Sequence, residues 1–176
     1  MDINVETGEM NIGEGISGAV FSDPNRRFRY ALWRTWNPRG DRLLFVGLNP
    51  STANDIKDDP TIRRVISFAK GWGFGGVLVG NLFSIVSADP SILWTTPSVG
   101  QPGGPNDTAL RQMRALSSRV LVGWGNHGAD AGTRPAEVIA LLGEPVFCLK
   151  VTGAGEPNHP LYMRGSSLLK VYHRGA

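Results

Sequence analysis

Residues 42–61, RLLFVGLNPSTANDIKDDPT, contain a strand, a loop and the start of a helix in direct succession. The run 43–48 is apolar throughout, which is typical of a strand buried on both faces of its sheet. The loop that follows, 49–58, is rich in Asn, Pro, Ser and Asp, which favour turns. Asp59 then precedes Pro60, and this pair predicts a helix N-terminus because aspartate caps well and proline fits the first turn. The segment therefore predicts a strand-loop-helix unit of an α/β protein.

The rest of the chain repeats this alternation. Three further apolar runs predict buried strands, and their sequences are GGVLVGNLF, RVLVGWG and EPVFCLKV. Helices are predicted between them, with caps at Asn106 or Asp107 and at Thr133. We therefore expect an α/β fold, namely a three-layer α/β/α sandwich with a mostly parallel central sheet. Upstream, residues 27–36 alternate with a period of two before the turn NPRGD, which predicts an N-terminal antiparallel hairpin with 43–48.

Length and composition predict one domain. The chain has 176 residues, of which 41% are hydrophobic, and this is enough for one substantial core. The segment 1–25 has five acidic residues, no Lys or Arg and no periodicity, so we expect an irregular acidic N-terminal arm there and a single domain over 26–176. No apolar stretch has the length of a membrane span, and the start does not resemble a signal peptide. We therefore expect a cytoplasmic protein, with a monomer favoured.

The chain offers few groups for a cofactor or a metal. Its one cysteine, Cys148, excludes an internal disulfide and a multi-cysteine metal site. The sequence has neither a P-loop nor a dinucleotide-binding fingerprint, and it has no convincing Ser-His-Asp order. We therefore expect no cofactor and no bound metal.

An arginine-rich segment lies in 26–42, where six arginines are interspersed with aromatic residues. The guanidinium group suits phosphate and aromatic rings can stack on bases, so the segment is a candidate nucleic-acid surface. The alternative is the solvated face of an edge hairpin, which would have the same composition. The nucleic-acid hypothesis assigns phosphate contacts to Arg27, Arg29, Arg34 and Arg39.

Polar residues follow each of the four predicted buried strands at its carboxyl end. The sequences at these ends are GLNPSTAN, GNLFS, GWGNHGAD and TGAGEPNHPLY. In a parallel sheet the carboxyl ends lie along one edge, and α/β proteins bind their ligands there. Any one of these residues is an ordinary turn residue. We call the segments that leave the carboxyl ends of the strands their exits. Four exits with polar residues together predict a binding site at this edge of the sheet.

The order of these motifs resembles the uracil-DNA glycosylase superfamily. That superfamily has Gly-x-Asn/Asp-Pro after its first strand, Asn at the end of its second and His-Pro-Ser after its fourth, and this chain has GLNPS, VLVGNLF and NHPLY. The first motif is most similar to GINPG, of the mismatch-specific, thymine-glycosylase-like branch. Leu161 stands where the superfamily has Ser or Gly, and the usual intercalating loop is not evident. LNPSTA and DDPT also resemble a bacterial family of unknown function, domain of unknown function 1643.

The resemblance implies an enzyme that hydrolyses the N-glycosidic bond of a damaged or modified base. Such a reaction needs a positioned water, a group that reads the base edge and a donor to the departing base. The resemblance assigns these roles to Asn49, Asn81 and His159 respectively. Because an amide cannot take a proton from water, we expect Asp55 or Asp58 to assist. Base stacking is expected from Phe83 or Trp124, and further substrate contacts from Gly47, Leu48, Pro50, Ser51 and Asn158.

Two other functions stay open at this point. The chain could be a binding module for a nucleotide or a modified base, with catalysis weak or lost, since Asn49 is not a carboxylate. It could also be a metal-dependent nucleotide hydrolase that uses Asp55, Asp58 and Asp59 as ligands. In every case the expected partner is DNA or a nucleotide-containing ligand, and no membrane is involved.

Overall fold

One sheet organises the molecule, and a computed structural model describes it over residues 10–22, 24–95 and 103–175. The strands in these residues are β1 (Ser17–Phe21), β2 (Arg29–Thr35), β3 (Arg42–Gly47), β4 (Gly76–Asn81), β5 (Arg119–Val122), β6 (Val146–Cys148) and β7 (Lys170–Tyr172). They form a seven-stranded sheet in the order β1-β2-β4-β3-β5-β6-β7. The predicted strand after the arginine-rich segment, β3, therefore lies near the centre.

Helices connect the central strands. They are α1 (Pro60–Gly71), α2 (Ile92–Thr95), α3 (Pro105–Ala115) and α4 (Arg134–Leu142). Asp59 is the N-cap of α1, as predicted, because its Oδ1 accepts a hydrogen bond from the Ile62 N–H at 2.8 Å. Within the described residues, no helix has both the length and the apolar character that crossing a membrane requires.

The ends of α3 and α4 test two further cap predictions. The cap expected at Asn106 or Asp107 is wrong, because α3 begins earlier, at a proline preceded by Gly104 as N-cap. A first-turn proline already lacks the N–H that a side-chain cap would satisfy. Thr133 is the N-cap of α4 and Gly143 follows its last residue, both as predicted.

Strand direction differs from the prediction. Parallel ladders join β4 to β3, β3 to β5 and β5 to β6, whereas antiparallel ladders join β1 to β2, β2 to β4 and β6 to β7. The predicted three-layer sandwich with a mostly parallel sheet is therefore wrong, since the sheet is mixed. Apolar runs indicate burial but not direction, and short outer strands give little periodicity to detect. The helices are also few: α1 packs in the core on one face, and α3 and α4 on the other.

The predicted hairpin between β2 and β3 is also wrong. β4 lies between these strands, and β2 pairs instead with β1 and β4. The connection from β2 to β3 crosses the start of β4, where the Trp36 and Asn37 N–H groups both donate to Gly75 O at 2.9 Å. A Cβ on Gly40 would lie 2.8 Å from the Gly75 Cα. The glycine of NPRGD thus permits a close crossing of two backbones rather than a tight hairpin turn.

Part of the segment predicted as an irregular arm is regular. β1 falls within 1–25, so the irregular prediction is wrong for residues 17–21. Met10 and Ile12 are buried in the core, and Trp33 Nε1 donates to Glu14 O at 2.8 Å. The glycines and serines around β1 hide its short apolar pattern. Residues 1–9 lie outside the described part of the chain.

The carboxyl ends of the parallel strands meet at one edge. Gly47 and Asn81, the last residues of β3 and β4, are register partners. Beyond them the Leu82 N–H donates to Gly47 O and the Phe83 N–H to Leu48 O, each at 2.9 Å. The first two exits therefore stay paired after the strands end, and they bring the loops that follow to the same place.

Candidate functional site

A cavity of about 460 Å³ lies at this edge of the sheet. Its walls come from the exits of β3, β4 and β5 and from the segment after β6, with contributions from β2 and the first turn of α1. The volume falls in the range of small-molecule sites. The structure brings the following predicted site residues to its wall: Gly47, Leu48, Asn49, Ser51, Asn81, Trp124, Asn158 and His159.

Asn81 lines the cavity with an amide that has an unpaired end. The residue is 4% exposed, and its Nδ2 has no hydrogen-bond partner among the described residues. An ideal Cβ on Gly47 would lie 3.0 Å from Asn81 Oδ1, so glycine at position 47 leaves room for the amide. A buried donor without a partner costs about 1–3 kcal/mol. The amide is therefore in place for a ligand that accepts a hydrogen bond from it.

Buried polar side chains hold the backbone at Asn81 from behind. Asn106 Nδ2 donates to Asn81 O at 3.0 Å and to Leu82 O at 3.3 Å. Arg134 Nε donates to Leu82 O at 2.8 Å, and its Nη2 lies 2.5 Å from Asp107 Oδ1. These contacts satisfy carbonyls that would otherwise be buried without a donor where β4 ends. They fix the position of Asn81 and leave its side chain for the cavity.

Asn49 braces the loop in which it lies. Its Nδ2 donates to Ser87 O at 2.9 Å, to Pro50 O at 3.2 Å and to Ile85 O at 3.3 Å. Three carbonyl partners define the orientation of the amide, because only its NH2 end can donate. Asn49 Oδ1 is therefore the end that can accept a hydrogen bond from a water or a ligand. Pro50, which the sequence predicts as a contact, is buried and does not line the cavity.

His159 supplies a neutral imidazole to the cavity wall. It precedes the 3-10 turn Pro160–Tyr162, and its Nδ1 accepts from the Leu161 N–H at 3.3 Å. The proton of the neutral ring is therefore on Nε2. Burial lowers the pKa of His159, and the negative charge of Asp59 opposes this shift only in part. At neutral pH the ring thus has an Nε2–H donor and no net charge.

Replacing His159 with asparagine is expected to make the fold less sensitive to acid. The pKa of His159 in the folded state lies below its ordinary value of 6.5. The unfolded chain therefore binds a proton first, and stability falls as the pH drops below about 6.5. Asparagine can still accept from the Leu161 N–H but does not titrate. Urea unfolding at about pH 7.5 and about pH 5.5 should show a larger loss of unfolding free energy in the wild type; equal losses would contradict this protonation state.

Arg29 and Asp59 bring opposite charges to the cavity wall. Arg29 is 2% exposed, and its Nη1 donates to Ala53 O at 2.8 Å. Burial lowers the pKa of Arg29 to about 10, with Asp59 opposing, so the guanidinium stays charged at neutral pH. Asp59 is 8% exposed. Among the described residues that line the cavity it is the one carboxylate, while its Oδ1 caps α1.

The two residues predicted to stack on a base lie in different places. Phe83 is in the apolar core, edge-on to Trp94 with ring centroids 6.1 Å apart, and it does not line the cavity. Trp124 does line it, but the residue is 2% exposed and its Nε1 donates to Glu156 Oε2 at 2.6 Å. Trp124 therefore forms a fixed part of the wall.

Arginine side chains hold the loop between β3 and α1. Arg26 Nη1 lies 2.9 Å from Asp55 Oδ1, and Arg34 Nη2 lies 2.8 Å from Asp58 Oδ1. Arg34 Nη2 also donates to Asn54 O at 2.6 Å. Asp55 and Asp58, which the sequence offers as catalytic helpers, are thus paired with cations, and neither lines the cavity.

The four arginines predicted to bind phosphate fall into two groups. Arg29 and Arg34 donate to carbonyls and carboxylates of the chain itself. Arg27 and Arg39 are exposed. Arg39 lies in the crossover at the opposite end of β4 from the cavity. Arg27 lies close to the exit of β4, because its carbonyl accepts from the Val86 N–H at 2.8 Å.

The described residues contain no ready-made metal site. No three His, Cys, Asp or Glu side chains among them lie close enough to hold an ion. Of the three aspartates considered as ligands, Asp55 and Asp58 pair with arginines and Asp59 caps α1. The metal-dependent hydrolase hypothesis therefore has no donor set in this part of the chain.

The sequence does not predict that Arg29, Asp59 and Tyr162 line the cavity, but all three do so in the structure. Asp59 carries a usable signal, since the residue that caps the helix after a ligand-binding exit lies beside that exit. Arg29 carries none, because its position depends on β2 pairing with β4. Tyr162 is 80% exposed, and its ring centroid lies 5.8 Å from that of His159.

Comparison with known proteins gives one match. The family described as "Protein of unknown function (DUF1643)" matches residues 29–161. The match covers more than half of the chain, so the chain belongs to this family. It includes every residue that lines the cavity except Tyr162. Neither the curated proteins nor the solved structures gave a match.

Proposed function

We propose that this member of the DUF1643 family binds a nucleobase in the cavity and hydrolyses its N-glycosidic bond. The observation that carries the proposal is the Asn81 amide, which is buried, faces the cavity and has an Nδ2 without a partner among the described residues. One donor beside one acceptor matches the Watson-Crick edge of a base. A base with the wrong edge would leave the amide unsatisfied, and this penalty gives selectivity.

His159 supports the same proposal. Breaking an N-glycosidic bond leaves negative charge on the departing base, and a donor directed at that charge stabilises the transition state. The neutral ring has its proton on Nε2, because Nδ1 accepts from the Leu161 N–H. A neutral donor gives this stabilisation without requiring acid conditions. In this proposal His159 donates to the leaving base and keeps its proton.

Asn49 positions the attacking water in this proposal. Its Nδ2 is held by three carbonyls, so Oδ1 has a fixed direction. An oxygen of fixed direction can hold one O–H of a water and so reduce the entropy cost of the attack. The resemblance of GLNPS, VLVGNLF and NHPLY to the uracil-DNA glycosylase superfamily assigns the same roles to Asn49, Asn81 and His159.

DNA is the proposed partner. Tyr162, which lines the cavity, is 80% exposed, and its chain neighbour Leu161 is 42% exposed. An exposed ring beside a base pocket can stack on the neighbours of an extruded nucleotide. Arg27 is exposed close to the exit of β4 and can meet the backbone phosphate of the same strand. A free base would make no use of these groups.

A second candidate is a binding module that recognises a modified base without cleaving it. The observation in its favour is that the NH2 group of Asn49 is engaged by the carbonyls of Pro50, Ile85 and Ser87, and the residue has no carboxylate to offer. The two candidates predict different responses to substitution. Salt-sensitive DNA binding that survives Asn49→Ala but is lost with Asn81→Ala, without base release, supports the binding module.

The test of the proposed enzyme is a base-release screen. Duplex and single-stranded oligonucleotides bearing uracil, mismatched thymine and other altered bases are incubated with the protein, and abasic sites are revealed by alkaline cleavage. The proposal expects release of at least one base by the wild type, slowed by Asn49→Ala. Absence of abasic sites on every substrate, at enzyme in excess of DNA, would contradict it.

A further inference from the structure

We propose that Asp59 is the general base of the cavity and accepts a proton from the attacking water. This inference rests on the proposed glycosidic hydrolysis and adds the group that Asn49 cannot supply. The sequence offers Asp55 and Asp58 for this role, but both are paired with arginines away from the cavity. Asp59 is the carboxylate that lines it among the described residues.

The two oxygens of Asp59 have different surroundings. Oδ1 accepts from the Ile62 N–H at 2.8 Å, and this bond fixes the carboxylate at the start of α1. Oδ2 makes no hydrogen bond or ion pair with a described residue. The residue is 8% exposed and lines the cavity, and the proposal assigns its unbonded oxygen to the cavity side. A carboxylate with one oxygen anchored and the other available suits a general base.

The charges nearby point to the same role. Asp59 acts electrostatically on both Arg29 and His159, since its charge opposes the lowering of the pKa of each. These residues line one cavity together with Asn49 and Asn81. The Asn81 Nδ2, which has no partner among the described residues, is a second polar group of this cavity that a ligand can engage. The cavity thus has one carboxylate among its described residues to face a positively charged sugar, and the Asn81 amide and the His159 imidazole to face a base.

The step balances as a simple hydrolysis. The bond between C1′ and the base nitrogen breaks, and its electron pair leaves with the base. The water oxygen bonds to C1′, and one water proton passes to Asp59 Oδ2. The base leaves as an anion that accepts from His159 Nε2–H, and it takes a proton from solvent while Asp59 releases its own. As the bond lengthens, the carboxylate also stabilises the positive charge on the sugar.

Helix capping is the competing explanation of Asp59, and Asp59→Asn separates the two roles. Asparagine is as good an N-cap as aspartate, so the Ile62 N–H keeps its acceptor and the protein should stay folded. The melting temperature should fall only by the contribution that the charge makes to the helix N-terminus and to the buried Arg29. The variant has no carboxylate to take a proton. Asp58→Asn is the matched control, because Asp58 is the neighbouring aspartate and lies outside the cavity. Its amide oxygen can still accept from Arg34.

Two measurements on the full-length protein test the inference. The first is the single-turnover rate of base release by the wild type, Asp59→Asn and Asp58→Asn. We expect a loss of about a hundredfold or more for Asp59→Asn alone, the usual share of a general base. The second is binding to oligonucleotides that carry either a cationic pyrrolidine or a neutral tetrahydrofuran in place of one nucleotide. The wild type should prefer the cation, and Asp59→Asn should lose this preference.

The outcomes separate this inference from the proposed function. Base release by Asp59→Asn at the wild-type rate would overturn the inference and leave the function standing. If the wild type releases no base, the function fails, and the binding comparison then decides. A preference for the cation that Asp59→Asn abolishes supports Asp59 as the carboxylate facing the sugar. The same preference in both proteins, or in neither, overturns it.

Discussion

Asn81→Leu is expected to abolish ligand binding while making the protein more stable. Leucine has a similar volume but cannot donate or accept, so the two hydrogen bonds proposed to the base are lost. At about 1.5 kcal/mol each, they correspond to about a hundredfold weaker binding. The same substitution removes a buried Nδ2 that has no partner in the described residues, and the unfolding free energy should rise by about 1 kcal/mol. Denaturant unfolding and oligonucleotide titration measure the two effects.

Asn106→Leu is the matched control for this result. Asn106 is also buried, and its Oδ1, like Asn81 Nδ2, has no partner among the described residues, so each substitution removes one such atom. The difference is that Asn106 Nδ2 donates to two carbonyls at the end of β4. The identical substitution should therefore lower the unfolding free energy by about 2 kcal/mol. A destabilisation by Asn81→Leu as large as that of Asn106→Leu would show that Asn81 is an ordinary structural residue. It would remove the main reason to assign the cavity to a base.

Arg134→Met is expected to cause the largest loss of stability. Arg134 and Asp107 are a buried ion pair with both side chains 5% exposed, and Arg134 Nε also donates to Leu82 O. The Nη1 atom lies 3.8 Å from a Glu137 oxygen, which is an ion-pair contact but too long for a hydrogen bond. Removing the cation leaves the Asp107 carboxylate buried without it. Such losses cost about 3–5 kcal/mol, which urea unfolding detects.

The double variant Arg134→Met with Asp107→Asn tests the cause of that loss. Neutralising both partners removes the uncompensated charge, so much of the lost stability should return. The Gly103 N–H donates to Asp107 Oδ2 at 2.8 Å, and the amide oxygen introduced by Asp107→Asn can still accept this hydrogen bond. If the double variant is no more stable than Arg134→Met alone, the destabilisation comes from the lost hydrogen bond to Leu82 rather than from the buried charge.

Helix ends and buried strands are predicted correctly where neighbouring residues alone determine them. The Asp59-Pro60 start of α1, the Gly143 end of α4 and the central buried strands are each specified by adjacent residues. The four polar exits converge because β3, β4, β5 and β6 are parallel in the structure, although the apolar runs of the sequence do not specify strand direction. With that strand direction, Asn49, Asn81 and His159 line one cavity.

Pairing between distant segments is what the sequence does not specify. The local pattern predicts β2 as the partner of β3, but β2 lies beside β4, and its first residue, Arg29, thereby enters the cavity wall. The phosphate surface is predicted from the composition of the arginine-rich segment, and composition does not show which groups each arginine contacts. Two of its four predicted contacts, Arg29 and Arg34, instead hold the loop before α1. A guanidinium group suits a backbone carbonyl as well as a phosphate, and only the fold decides between them.

If the Asn81 amide recognises a nucleobase, the NMR signal of its side chain should respond when that base binds. The side-chain 15N–1H pair of Asn81 is assigned in the labelled protein by its absence from Asn81→Leu, with the Asn49 amide as an internal reference. Uracil, thymine and the altered bases of the release screen are then added as free bases and within short oligonucleotides. We expect the chemical shift of the Asn81 side-chain amide to change saturably with at least one of these compounds, and by more than that of Asn49. An Asn81 signal that stays in place with every base and oligonucleotide would contradict it.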